Sequence, residues 1–126
     1  MEEHRPVLLK PILALNHRDV ANGATVITHS GDLMLGPESE QVPNLVSDLL
    51  HQGKRLIVFD IAGIDRIDST GIGRFIASYN EIAAAKGEMR LAGIRTYLFQ
   101  VFRVSSLDKI FHFYPTVEEA ITAPVS

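Results

Sequence analysis

The sequence predicts an α/β fold: one domain on a mixed sheet of about five strands, covered by four to five helices. Three observations point to it. Two strand-like segments flank Asn22-Gly23, a dipeptide suited to a tight hairpin turn. The segment from Arg55 to Ile61 is apolar on both faces save Asp60, the pattern of a strand in a parallel sheet covered on both sides. Helical patterns at the 3.6-residue period alternate with short strand patterns through the rest of the chain.

In order along the chain, Val7 to Leu15 is apolar with a proline at Pro11, which suits an edge strand. Asn16 to Gly23 is polar and forms the turn. Ala24 to His29, rich in β-branched residues, is its antiparallel partner. Gly31 to Pro37 reads as a loop holding three apolar residues: Leu33 and Leu35 are expected to tuck under the sheet, and Met34 is left open. Pro37 marks a helix start, and Val42, Leu45, Val46, Leu49 and Leu50 form one apolar face, closed by Gly53 as C-cap. Arg55 to Ile61 is the central strand.

The next helix shows the most regular pattern. Ile72, Phe75, Ile76, Tyr79, Ile82 and Ala83 line one face, and the helix runs from about Gly71 to Lys86 with Gly87 as its stop. Met89 and Leu91 alternate with Glu88 and Arg90 as another strand. A helix carrying Leu98, Val101 and Phe102 inward comes next, then a turn at Ser105 to Asp108. Ile110 to Tyr114 reads as the last strand. Thr116 with Glu119 forms a capping box for a helix to about Ala123, after which the chain should fray.

The 126 residues suit a single domain, 1–126, with its core over about 7–122. A formal charge of −3 gives no basic footprint for nucleic acid. With no cysteine, disulfides, thiolate catalysis and cysteine-based zinc sites are excluded. No apolar run approaches the ~20 residues that span a bilayer. The start, Glu2-Glu3-His4, is unlike a signal peptide. The expectation is a cytoplasmic domain with no membrane segment.

The stretch of chemical interest is Asp65 to Gly73, where the central strand hands over to the regular helix. Amide N–H groups at a helix start lack intrahelical partners and carry partial positive charge, so a group that becomes anionic is well placed there. Ser69 can be read simply as the helix N-cap, since Asp, Ser and Thr all cap well. Gly71 and Gly73 follow within two turns. They either clear a surface for a partner or let the helix pack closely on its own sheet.

Other chemistries find little support. His4, His17, His29, His51 and His112 show no metal-ligand spacing and read as surface or edge residues. Ser69 lacks the G-x-S-x-G frame of a nucleophile elbow, and there is no P-loop or complete dinucleotide fingerprint. Asp60, Asp65 and Asp68 converge on one end of the sheet. With no histidine base or nucleotide pocket beside them they do not make an enzyme, and no catalytic residue, metal or cofactor is expected.

Together these segments resemble a STAS domain of the anti-sigma-factor-antagonist kind. The matching pieces are Gly31-Asp32-Leu33, Leu56 to Asp60, Ile67-Asp68-Ser69-Thr70-Gly71-Ile72-Gly73, Gly87 to Leu91, and Val101 to Ile110, so the likeness spans Ile12 to Ile121. It implies a non-enzymatic partner-switching regulator of transcription. The unmodified domain would bind a GHKL-type serine-kinase anti-sigma factor and free the sigma factor. Phosphorylation at the serine after the aspartate, here Ser69, would release it, and a PP2C-type phosphatase would reset it. The implied partner-binding residues are Asp32, Met34, Asp68, Ser69, Thr70, Gly71, Gly73 and Arg74. The family commonly carries Gly-Glu-[Leu/Ile]-Asp after the second strand, and Met34 stands here in place of that final aspartate. A monomer or weak dimer is expected. The alternative within the same family is a scaffold or nucleotide-sensing module in a stress-signalling complex.

Overall fold

The structure is a computed structural model and describes residues 13–124. The first strand, β1 (Leu13–Asp19), pairs antiparallel with β2 (Ala24–Leu33). A single 3-10 turn over Pro37–Glu40 leads into α1 (Gln41–His51). Then come β3 (Leu56–Ile67), α2 (Ser69–Ala84), β4 (Glu88–Ala92), α3 (Thr96–Val104), β5 (His112–Tyr114) and α4 (Val117–Thr122). The sheet runs in the order β1-β2-β3-β4-β5, and every pairing after the first is parallel. The α/β class and the mixed five-stranded sheet are as the sequence predicts.

Both sheet faces are covered, and the alternation along the strands decides which residue goes where. Ile57, Phe59 and Ile61 of β3 join Ile27, Met89 and Leu91 in the larger core with α1, α2 and α3. Val58 points the other way and meets Ala24, Val26, Ala92 and Ala120, the last from α4. The helix ends close as the backbone requires. Gly53 (φ 89) takes the left-handed position after α1, while the Gly53 and Lys54 amides donate to Leu50 and Leu49 carbonyls.

Several elements depart from the sequence reading. The opening strand runs on through Asn16 to Asp19, because an edge strand can carry polar residues facing solvent; its expected beginning, residues 7–12 with Pro11, lies outside the described residues. The hairpin turn itself holds, with Asn22 (φ 64) and Gly23 (φ 72) both left-handed. β2 extends to Leu33 and β3 to Ile67, so Gly31, Asp32 and Asp65 lie in strand rather than loop. Leu33 is fully buried as expected, but Leu35 is 80% exposed rather than tucked. After α2 the left-handed residue is Lys86 (φ 63), not Gly87. Gly87 is glycine for another reason, since a Cβ there would stand 2.5 Å from the Arg55 carbonyl oxygen. β5 begins at His112, leaving Ile110 outside it and half-exposed.

Two buried polar residues, His29 and Arg90, stand out. His29 is not at an edge in the exposed sense: it is fully buried, with its ring 5.2 Å from that of Phe59 and 5.5 Å from that of Phe75. Neither ring nitrogen has a partner, and burial pushes its pKa down to about 3, so it is a neutral core residue. Arg90 is also fully buried, because the face of β4 that the alternation marks as polar is the face α4 covers. Its Nη1 donates to the Ala120 and Ala123 carbonyls at 2.7 and 2.9 Å, and its Nη2 to Pro124 at 2.9 Å. Nε meets Glu88 at 2.9 Å, and the guanidinium lies over the Tyr114 ring. The carbonyls left open at the end of α4 are thus satisfied from inside the domain, and Ala123 and Pro124 are tied rather than frayed.

Candidate functional site

The site forms where β3 overshoots its neighbour β4 and turns into α2. Two bulges shape it. Opposite the single His29, β3 places Ile61 and Ala62; between the pairs Gly31–Ile64 and Asp32–Arg66 it inserts Asp65. Such extra residues bend and twist a strand and re-aim its side chains. Asp65 consequently meets Arg95 at 3.0 Å, and its carbonyl accepts from the Tyr97 hydroxyl. On the β2 side Arg66 donates to Asp32 at 2.7 Å. Asp60 stays with its own strand, accepting from the Ala62 amide at 3.2 Å. The three aspartates are therefore separately engaged. Among the described residues no group of three His, Cys, Asp or Glu side chains is arranged to hold a metal ion.

Asp68, not Ser69, is the N-cap of α2. Its backbone is extended (φ −115, ψ −173) and Oδ1 accepts from the Gly71 amide at 2.9 Å. Its second oxygen, Oδ2, accepts from the Leu35 amide, also at 2.9 Å. These two amides, Gly71 first, hold the Asp68 carboxyl below the usual carboxylate range. Capping by Asp68 leaves Ser69 as the first helical residue, with its side chain exposed. Among the described residues no hydrogen bond ties its Oγ. Thr70 beside it is half-buried.

The two glycines have different causes. A Cβ on Gly71 would stand 2.1 Å from the Leu33 carbonyl oxygen and 2.7 Å from Ile67 Cγ1, so α2 sits on the sheet at a distance only glycine permits. Gly71 is buried, and close packing of the helix on its own sheet is one of the two readings the sequence offers for it. A Cβ on Gly73 would meet nothing within 4 Å, so that position opens outward. Arg74 is turned toward the 3-10 segment: Nε donates to Ser39 Oγ at 2.9 Å, with Glu40 at 3.9 Å. Asp32 and the half-buried Met34 lie on the β2 side of the same end.

Asp32, Met34, Asp68, Ser69, Thr70, Gly73 and Arg74 thus gather at one end of the sheet. Leu35, expected to tuck under the sheet, lies exposed at the same end, tied to Asp68. Its signal was faint: Gly36-Pro37 directly after it forces the chain to turn before the leucine can reach the core. Among the described residues no histidine or carboxylate is hydrogen-bonded to the Ser69 hydroxyl.

The model of the family described as the STAS domain matches residues 17–120. Solved structures with the same fold include an anti-sigma factor antagonist from Mycobacterium paratuberculosis, at 19% identity and TM-score 0.74 over 87% of this chain and 92% of that one. The Bacillus cell-fate determinant SpoIIAA in its phosphorylated form is 26% identical, with TM-score 0.67 over 86% and 96% of the two chains. A sulfate transporter family protein from Wolinella succinogenes matches at 12% identity and TM-score 0.72 over 82% and 86%. Among the described residues no helix is long and apolar enough to cross a membrane.

Proposed function

The chain belongs to the STAS domain family, and on that premise we propose that it is a non-catalytic anti-sigma factor antagonist switched by phosphorylation of Ser69. In this reading the unmodified domain docks, through the surface around Asp32, Met34, Asp68, Ser69, Thr70, Gly71, Gly73 and Arg74, on a GHKL-type serine-kinase anti-sigma factor. Docking frees the sigma factor for transcription. The kinase then transfers the γ-phosphoryl group of ATP to Ser69. An Oγ–P bond forms as the bond to the β–γ bridging oxygen breaks, ADP leaves, and the hydroxyl proton passes to a base of the kinase. A PP2C-type phosphatase returns the serine by hydrolysis.

The observation that carries this reading is the exposed Ser69 hydroxyl at the first position of α2, left unused because Asp68 does the capping. Phosphorylation puts about −1.5 to −2 charges and three acceptor oxygens where a small neutral group stood. The first-turn amides of α2 tolerate that charge inside the domain. A docking surface fitted to the hydroxyl does not, since unfavourable charge at an interface costs several kcal/mol. The switch therefore needs no change of fold.

The test mixes the purified protein with a candidate kinase from the same genome and isotopically labelled ATP. Label is expected on Ser69, and it should vanish in Ser69→Ala while the variant stays folded. Label that persists in Ser69→Ala would remove Ser69 from the mechanism.

A further inference from the structure

We infer that Asp68 is a latch: its carboxylate holds the Leu35 backbone beside the unmodified Ser69, and a phosphoryl group on Ser69 breaks that hold and withdraws the Leu35 side chain from the docking surface. This rests on the reading of Ser69 as the modified residue and extends it to the loop between β2 and α1.

The two oxygens of Asp68 serve two different elements. Oδ1 closes the first turn of its own helix through Gly71, whereas Oδ2 reaches back 33 residues to the Leu35 amide. Leu35 sits at the tip of a loop pinned on both flanks. On one side Leu33 is fully buried and its carbonyl accepts from the Asp68 amide at 3.4 Å. On the other, the buried Ser39 donates to the Gly36 carbonyl through both N–H and Oγ, and Arg74 binds that Oγ. Gly36, next to the tip, has φ 147, a conformation that side chains rarely adopt and a ready pivot.

An exposed leucine needs no explanation by itself. Here a carboxylate adjoining the site fixes its backbone, so an apolar side chain 80% exposed is presented in one place beside Ser69. The partner that fits is a kinase surface with an apolar pocket for Leu35 next to a space sized for a serine hydroxyl. Preorganising such an anchor lowers the entropy lost on docking.

The phosphoryl group enters as a dianion one residue from Asp68. It competes for the same first-turn amides with more charge and three oxygens, and it repels the carboxylate. The bond to Gly71 closes a short turn of the helix that the core already holds. The bond to Leu35 spans to a loop tip with a glycine pivot, and it is the bond that opens. One modification then both blocks the hydroxyl's place in the interface and releases the apolar anchor beside it.

The test needs no kinase. Full-length protein with phosphoserine inserted genetically at position 69 is compared with the unmodified protein by ¹H–¹⁵N NMR and amide hydrogen exchange. The Leu35 amide is expected to exchange at least tenfold faster in the phosphoserine protein, with its resonance moving, while the Leu33 amide stays as it was. Asp68→Asn in the unmodified protein should free Leu35 in the same way, and phosphoserine added to that variant should change Leu35 little further. An unchanged Leu35 amide in the phosphoserine protein overturns the latch, as does a phosphoserine effect of full size in Asp68→Asn. Either result leaves the kinase reading standing. A failure to label Ser69 with the kinase would remove that reading but not a latch seen in the phosphoserine protein.

Discussion

Arg90 and Ser69 both sit against helix ends, and the domain treats them in opposite ways. At the end of α4 a guanidinium is taken wholly out of water, and three carbonyls, a carboxylate and a tyrosine ring surround it. At the start of α2 a hydroxyl is left in solvent because a neighbouring carboxylate has taken over the cap. A buried charge must have every partner in place, since losing one leaves it stranded in a low dielectric. An exposed serine has no such need. The first arrangement holds the fold together, and the second leaves an atom within reach of another protein.

The largest expected break in this contrast is Arg90→Ala. It strips the carbonyls at the end of α4 of their donors, leaves Glu88 without this partner, and opens a cavity. We expect a loss of about 3–5 kcal/mol in urea denaturation. Ser69→Ala, measured the same way, should stay within about 0.5 kcal/mol, as suits an exposed residue that does not cap its helix.

His29 adds a third treatment, burial with no partner at all. Its folded-state pKa of about 3 lies below the ordinary 6.5, so the unfolded chain binds the proton more readily. Its share of stability is complete above pH 6.5 and falls away as pH drops toward 3, by roughly 1.4 kcal/mol per unit. No charged side chain contributes to this displacement; the cause is burial among Phe59 and Phe75. Thermal melts of the protein and of His29→Leu across pH 7 to 4 should diverge, with the variant losing less. Parallel curves would show that the ring is hydrated or protonated in the folded protein.

The same contrast separates the two glycines. Gly71→Ala drives a Cβ into the Leu33 carbonyl and should cost about 3 kcal/mol, as overpacking does. Gly73→Ala meets only open space and should stabilise the isolated domain by about 0.5–1 kcal/mol through helix propensity. If Gly73 lies at the docking face, the same change weakens binding while it strengthens the fold.

The contrast also shows what the sequence could tell. Apolar periodicity located the three longer helices, a capping box at Thr116 and Glu119 the last, and the two-sided apolar run at Leu56 to Ile61 identified a covered parallel strand. Those signals are local. The continuation of β3 through Asp65 and Arg66 was hidden, because its polar residues break the alternation and only pairing with β2 keeps them in strand. The alternation at Glu88 to Leu91 separated the two faces of β4 correctly, but nothing local announced that α4 would cover the polar one. Ser69 could be singled out, yet Asp68, Ser69 and Thr70 are each good caps, and the second bond of the Asp68 carboxylate goes to the Leu35 amide, which lies far away in sequence. Gly87 looked like the left-handed stop, while the structure uses Lys86 there and spends the glycine on a close approach to β3.

The most direct measurement of the central claim is a calorimetric titration of the partner kinase with unmodified protein and with protein carrying phosphoserine at 69. The account predicts that the modified protein binds at least a hundredfold more weakly while melting at nearly the same temperature. Equal affinities for the two forms would contradict it.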